Sequence, residues 1–324
     1  MSTKNLLVEL FVEELPPKAL NKLGEAFSTT LADSLKAQGL VAADAKIEAF
    51  ASPRRLAVHV ANVAAVAADK PITLKLMPVN IALDANGEPT QALMKKLAGM
   101  GLDASIVPQL KRAPDGKAEA LFHDSVVKGV ALAEGLQKAL EQALTSLPIP
   151  KVMTYQLADG WSSVNFVRPA HKLVALHGAD IVPISVLGLQ AGRETLGHRF
   201  EATVSPVVLE NADSYAHQLQ AQGAVIASFA ARRGEIVRQL QAAAAKAGSG
   251  LQPLQDDALL DEVTALVERP NVLTCQFEQE FLQVPQECLI LTMKANQKYF
   301  PLLENNGKLS NQFLVVSNIS PADA

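Results

Sequence analysis

The sequence predicts an α+β fold made of two mixed α/β domains with largely antiparallel sheets. Three observations carry that reading. Strand-type and helix-type periodicities are interspersed without a regular βαβ alternation. Strand signals come in pairs around tight turns. The 324 residues are 49% hydrophobic and 19% charged, which suits about two domains, each with its own core.

The elements follow in order. Leu6 to Val12 reads as a strand that stops at Glu13-Glu14-Leu15-Pro16-Pro17, because proline can open a helix but not lie inside one. A helix from Pro17 to about Gln38 follows, with Leu20, Leu23, Phe27, Leu31 and Leu35 recurring at three and four and Gly39 as its stop. Ile47 to Ala51 and Leu56 to Val63 are strands around the turn Ser52-Pro53-Arg54-Arg55. From Pro71 to Lys128 turn chemistry at Asp84 to Gly87 and Pro114 to Gly116 marks a strand-rich stretch, with a short helix near Gln91 to Ala98. Val130 to Leu147 is a helix closed by Leu147-Pro148-Ile149-Pro150. The proline pair sets the expected domain boundary, dividing residues 1–150 from 151–324.

Beyond it, Lys172 to His177 and Ile181 to Leu187 read as a hairpin around Gly178-Ala179-Asp180. Helices are expected at Ala212 to Gln222, Ser228 to Ala247 and Asp257 to Val267, then a strand at Val272 to Phe277 and a helix at Pro285 to Lys294. A last hairpin joins Tyr299 to Leu303 with Phe313 to Val316. Of the neighbours Tyr299 and Phe300, Phe300 is assigned to the core, because alternation sends the two to opposite sides and the tyrosine hydroxyl needs a partner.

Composition excludes whole classes. The hydrophobic fraction is too high for a disordered chain, and two cysteines are too few for a disulfide scaffold. A net charge of −4 gives no global attraction to nucleic acid, so any RNA contact must come from a local basic patch. Cys275 and Cys288 have no CxxC or histidine spacing and read as buried thiols. Without a signal peptide or a long apolar run, the expected address is the cytoplasm, with no membrane partner.

No GxSxG, HExxH, GxxxxGK[ST] or GxGxxG signature occurs. Glu9, Glu13 and Glu14 read as acids complementing a helix start. His171 and His177 lie on one strand but about 20 Å apart at ~3.3 Å per residue, too far to share a metal. What stands out is a set of cation-bearing clusters beside prolines or glycines. These are Ser52-Pro53-Arg54-Arg55, then Phe166-Val167-Arg168-Pro169-Ala170-His171-Lys172, then Arg193 with Gly197-His198-Arg199-Phe200, and Met293 to Pro301 with Lys294, Lys298 and Tyr299. Arginine's planar fork suits phosphate, and aromatic neighbours can stack on unpaired bases. Alternatively, each arginine pairs with a carboxylate or loop carbonyl, and Lys294 and Lys298 complement a helix C-terminus.

Taken in order, these clusters resemble the beta subunit of the bacterial two-subunit glycyl-tRNA synthetases. The resemblance runs through Leu7-Val8-Glu9, Glu13 to Leu20, Ser52 to Ala57, Leu147 to Met153, Phe166 to Pro169 with His171, and Arg193 with Gly197 to Phe200. It continues through Asn211-Ala212-Asp213, Glu262-Val263, Leu266-Val267-Glu268 with Pro270, Phe281-Leu282 with Val284-Pro285, and Met293-Lys294 with Gln297 to Pro301. Phe11-Val12, Thr154-Tyr155 and Arg269 depart from the family's usual Gly-Thr, Arg-Trp and Trp, which leaves those positions without an assigned role.

The resemblance implies part of an ATP-dependent ligase that joins glycine to tRNA as an α2β2 tetramer, a keyword set of translation, protein biosynthesis and aminoacyl-tRNA synthetase. It implies an N-terminal fragment whose HD-like and anticodon-binding domains would lie C-terminal to it. Glycine activation with ATP and Mg²⁺ is expected in the alpha subunit, with no cofactor, no metal and no catalytic residue in this chain. The partners implied are the alpha subunit and tRNA(Gly). The residues that would touch tRNA are Arg54, Arg55, Arg168, Arg193, His198, Arg199, Lys294, Lys298 and Tyr299. Two other readings stay open. One is a purely architectural domain that docks the alpha subunit. The other is an editing-type hydrolase, distinguished by a pocket that sets His198 beside a carboxylate.

Overall fold

A computed structural model of the chain describes residues 2–116 and 118–320. β1 (Thr3–Val12), α1 (Leu20–Ala37), β2 (Ile47–Ser52) and β3 (Arg55–Ala64) come first. β4 (Lys70–Pro78), α2 (Val79–Ala82), α3 (Gln91–Gly99), β5 (Lys111–Asp115) and β6 (Ala118–Val127) follow. After α4 (Leu132–Thr145) come β7 (Met153–Gln156), β8 (Ser163–Phe166), β9 (Ala170–His177), β10 (Asp180–Ile181), β11 (Ser185–Val186), β12 (Leu189–Gly192), β13 (Glu194–Thr195) and β14 (Val207–Val208). α5 (Tyr215–Ala221), α6 (Phe229–Ala247), β15 (Gln252–Pro253), α7 (Asp257–Thr264), β16 (Asn271–Gln276), α8 (Gln286–Thr292), β17 (Phe300–Leu303) and β18 (Leu309–Ser317) complete the chain. Helices and mostly antiparallel strands make this the α+β fold that the sequence predicts.

The chain forms two compact units. One is Met1–Ala65 with Leu132–Ala324, and the other is Val66–Ala131. In the first, strands run β11-β12-β9-β1-β3-β2, with β10 beside β9. β1 is central and buried from Leu6 to Val12, pairing antiparallel with β3 on one side and β9 on the other. A strand buried on both faces reads as an apolar run rather than an alternation. On one face, α1 presents Leu20, Leu23, Phe27, Leu31 and Leu35 and packs on β2 and β3. Gly24 lets it approach so closely that a Cβ there would lie 2.6 Å from Cβ of Ala51. On the other, Tyr215 and Leu219 of α5 join Leu7, Phe50, Ala57 and Val174 in a buried cluster. Residues on both sides of Pro150 therefore belong to one sheet, and the boundary expected there falls inside this unit.

The same unit carries a second sheet, β15-β17-β18-β16, on which α6 and α7 pack through Ile236, Leu240, Leu259 and Val263. The Val66–Ala131 unit is a three-stranded sheet, β4-β6-β5, whose small core gathers Leu76, Ala82, Leu93, Leu97 and Leu121.

Some expectations shift. The hairpin after His177 forms only as Asp180 and Ile181, because Pro183 has no N–H to continue a ladder and Ser185–Val186 pairs with β12 instead. Glu13 and Glu14 do not serve a helix start, since α1 begins at Leu20 with no acid in its first turn. The cysteines are not buried: Cys275 is half-buried and Cys288 exposed.

Candidate functional site

The turn between β2 and β3 places Pro53 and Arg54 at one end of the main sheet, where the incoming chain wraps it. The N–H of Val12 donates to the carbonyl of Arg54 at 2.8 Å, and that of Leu15 to the carbonyl of Pro53 at 2.7 Å. Glu13 N–H reaches the Pro169 carbonyl at 2.9 Å, so Glu13 and Glu14 are held between that turn and the Arg168-Pro169 segment.

Beneath this surface lies a buried ionic network. Arg55 has no exposed surface, and it donates to Glu268 at 3.0 Å, to Ser52 Oγ at 3.0 Å and to the Leu196 carbonyl at 2.6 Å. Its Nε lies 3.5 Å from Glu9, whose carboxylate accepts the Tyr215 hydroxyl at 2.5 Å. Arg54 is 6% exposed and forks onto Glu268, with a further bond to the Gly197 carbonyl at 2.7 Å. Both guanidinium groups lie near the Phe11 ring, at 5.2 and 5.4 Å from its centre. Arg232, also buried, spends its donors on the carbonyls of Thr264, Ala51 and Ile226.

The electrostatics follow from the burial. Burial works to raise the Glu268 carboxyl, but the Arg55 charge and the Arg54 hydrogen bond outweigh it and hold it below the ordinary range. For Arg55, burial opposes the charge, and Glu268 and Glu9 overcome it and push the group up. Burial and then the Glu9 charge drive the Tyr215 hydroxyl well above its usual value. For Arg232 burial outweighs the opposing Glu268 charge and, with the like charge of Arg55, pulls the group down to about 9.

These placements correct the expectation for two residues. Arg54 and Arg55 sit in the core with their two charges matched by Glu268 and Glu9, so they do not offer phosphate-binding forks to a surface. The remaining candidates divide into three places. Arg168, His198 and Arg199 gather around Glu13 and Glu14. Arg168 is exposed and donates to the Glu14 carbonyl at 2.9 Å. Arg199 lies 2.8 Å from Glu13 and 3.1 Å from Glu14, and His171 contacts Glu13 at 2.9 Å. Burial tends to raise the Glu13 carboxyl, but the His171 hydrogen bond and the His171 and Arg199 charges keep it low. Arg193 lies apart, donating to the carbonyls of Ala179 and Leu209.

Lys294 and Lys298 line a third place, an open cavity of about 670 Å³ that also includes Phe229 and Leu291. There Lys294 pairs with Asp256, and Lys298 pairs with Glu262 at 3.2 Å. Tyr299 is half-buried and stacks on Phe313 at 4.8 Å, while Phe300 enters the core as expected. The lysines' charge is therefore already matched, and one face of the tyrosine ring is covered.

His198 is the least ordinary of these residues. It is 3% exposed, and its Nδ1 accepts the backbone N–H groups of both Phe200 and Glu201 at 3.2 Å. An imidazole nitrogen that accepts cannot carry the proton, so the proton sits on Nε2. That N–H has no partner among the described residues. The loop is fixed by Gly197, where a Cβ would fall 2.6 Å from the Gly223 backbone, and by the bond from His198 N–H to the Gly223 carbonyl at 2.7 Å. His198 lines a cavity of about 140 Å³ together with Glu14, Arg54, Arg199, Phe200 and Glu268.

Comparison with known proteins adds the family. Residues 6–324 match the model of the family described as "Glycyl-tRNA synthetase beta subunit". This chain belongs to that family. Among curated members, the glycine–tRNA ligase beta subunits of Dechloromonas aromatica (strain RCB) and Leptothrix cholodnii (strain ATCC 51168 / LMG 8142 / SP-6) are each 73% identical to it. The whole chain is covered in both, against 47% and 45% of the relatives. That of Acidovorax ebreus (strain TPSY) is 68% identical, again over the whole chain and 45% of the relative. The chain thus spans about half the length of the curated beta subunits it matches.

Sequence reasoning gives no role in the network to Glu268, its hub, or to Tyr215, Ser52 and Arg232, and it sets Glu9 at a helix start, whereas Glu9 is buried within β1. One signal was available. A lone carboxylate at Glu9 inside the run Leu6 to Val12 requires a buried cation once the strand is covered on both faces.

Proposed function

We propose that this chain is the N-terminal, non-catalytic portion of a glycine–tRNA ligase beta subunit, contributing tRNA binding and docking of an alpha subunit in an α2β2 enzyme of the cytoplasm. The match over residues 6–324 supports the family, and the one geometric observation that carries the tRNA reading is the face around His198. There an exposed aromatic, Phe200, and an exposed arginine, Arg199, line the cavity of a buried donor without a partner among the described residues, and the exposed Arg168 binds the carbonyl of Glu14, which also lines it. Cations beside aromatics are what single-stranded and looped RNA takes. Arg193, Lys294, Lys298 and Tyr299 are secondary contact candidates on other surfaces. Glycine activation by ATP with Mg²⁺ is assigned to the alpha subunit. Among the described residues, no group of three or more His, Cys, Asp or Glu side chains is arranged to hold a metal ion. Nor, among them, is any helix long and apolar enough to cross a membrane.

The editing-type hydrolase reading has an observation in its favour, since His198 shares its cavity with Glu14 and Glu268. The tautomer speaks against it. With Nδ1 taken by two backbone donors, His198 presents a proton rather than a lone pair, and no serine, threonine or cysteine lines the cavity. The site is built to bind.

A titration of the chain with tRNA(Gly), with and without the alpha subunit, tests the proposal. Binding is expected, weakening linearly in log affinity against log salt. Association with alpha but no tRNA affinity in either mixture would overturn it in favour of an architectural role.

A further inference from the structure

We infer that the His198 cavity is a seat for one unpaired nucleobase of bound RNA, with the His198 Nε2–H donating to an acceptor on the base edge and Phe200 closing over its face. The inference rests on the tRNA-binding reading and specifies what one site within it holds.

Three observations lead there. First, a buried N–H donor without a partner is costly, and such groups in native structures call for an explanation. His198 Nε2 is one, its loop pinned so that it cannot turn away. What it lacks is an acceptor. Second, the cavity has no charge to spare for a phosphate. Glu268 is held by Arg54 and Arg55, and Glu14 by Arg199. A neutral polar group with acceptors of its own fits such a lining better than an anion does. Third, about 140 Å³ is well below the ~300–1,000 Å³ of sites that enclose a whole small molecule, so the cavity takes a single group presented from outside. Phe200 lines that cavity, 82% exposed, its ring set edge-on to the His198 imidazole at 6.2 Å between centres. An exposed aromatic beside a recessed donor suits an unstacked base, which offers both a π-face and edge acceptors.

The test uses the full chain and a single-stranded RNA tetranucleotide, with an abasic tetranucleotide and inorganic phosphate as comparison probes. His198→Asn retains an acceptor for the Phe200 and Glu201 N–H groups and removes the Nε2–H. Phe200→Ala removes only an exposed ring, and thermal melting verifies that both variants fold. Each substitution is expected to weaken the tetranucleotide about tenfold. The abasic strand should bind the wild-type chain at that weakened level and be insensitive to both changes, and phosphate should not compete. If His198→Asn fails to fold, the Phe200→Ala result with the two strands decides alone. Unchanged tetranucleotide affinity in the variants would overturn the inference, as would equal affinity for the abasic strand or His198-dependent competition by phosphate. Should tRNA(Gly) bind while the tetranucleotide ignores both substitutions, this inference alone fails. Absence of any RNA binding would instead remove the reading beneath it.

Discussion

Arg54 donates from Nε and Nη2 to the two carboxylate oxygens of Glu268, at 3.3 and 2.7 Å, although 214 positions separate the two residues in the chain. Arg55 shares the same carboxylate, so one buried anion ties the β2–β3 turn to the segment that follows α7.

Replacing that anion is expected to be severe. Glu268→Gln keeps the shape but leaves two buried guanidinium groups facing a neutral amide, at a cost of about 3–5 kcal/mol in denaturant unfolding. The effect should depend on pH. The folded-state carboxyl is held below its ordinary value of 4.5, so the unfolded chain binds more protons and stability falls as pH drops below about that value. The gap between wild type and Glu268→Gln should therefore be widest above pH 4.5 and narrow on acidification. A gap that stays constant from pH 7 to pH 3 would contradict it.

Tyr215→Phe removes the hydroxyl that donates to Glu9 in the core. Among the described residues Glu9 then keeps its ion pair with Arg55, and about 1–3 kcal/mol of stability should be lost. Arg199→Ala, at an exposed ion pair with Glu13 and Glu14, serves as contrast and should change stability by less than about 1 kcal/mol. Chemical denaturation of both variants measures the difference directly.

Gly24→Ala should destabilise, even though alanine is the better helix former by about 1 kcal/mol. The new methyl would sit 2.6 Å from Cβ of Ala51, and pushing α1 off β2 is expected to outweigh the helical gain, for a net loss of about 1–2 kcal/mol. An unchanged or raised melting temperature would show that the helix shifts freely.

Excising residues 66–131 should leave a foldable remainder. The N–H of Leu132 donates to the carbonyl of Ala65 at 2.9 Å, so the ends of the cut already adjoin and a short Gly/Ser link can close them. Retention of a cooperative melt in the shortened chain would meet the expectation. Loss of it would show that the main sheet needs the insertion.

Much of the fold was legible because the signals were local. The helical spacing of Leu20 to Leu35, the Pro53 turn and the core position of Phe300 depend only on neighbours in sequence, and each appears as expected. The site was less legible because its partners are remote. Nothing near Arg54 or Arg55 announces Glu268, and an arginine that will be buried looks in sequence like one that will meet phosphate. Family resemblance singled out the Ser52 to Ala57 and Gly197 to Phe200 segments without distinguishing a core arginine from a surface one. For Lys294 and Lys298 the alternative in sequence was a helix C-terminus, and what they meet instead are remote carboxylates, Asp256 and Glu262.

The position of β1 at the middle of its sheet sets an order on the chain's birth. Its β3 edge can pair once about 50 further residues have emerged, but its β9 edge must wait for about 160, on the order of ten seconds or more at ~5–20 residues per second. Throughout that interval a nascent strand carrying Leu6, Leu7, Val8 and Leu10 stands with one hydrogen-bonding edge open. Glu9 and Arg55, close neighbours across the β1–β3 pair, hold each other's charge meanwhile, until Glu268 emerges. An anion–cation pair set within a largely apolar pair of strands discourages that edge from joining another chain before its own partner arrives.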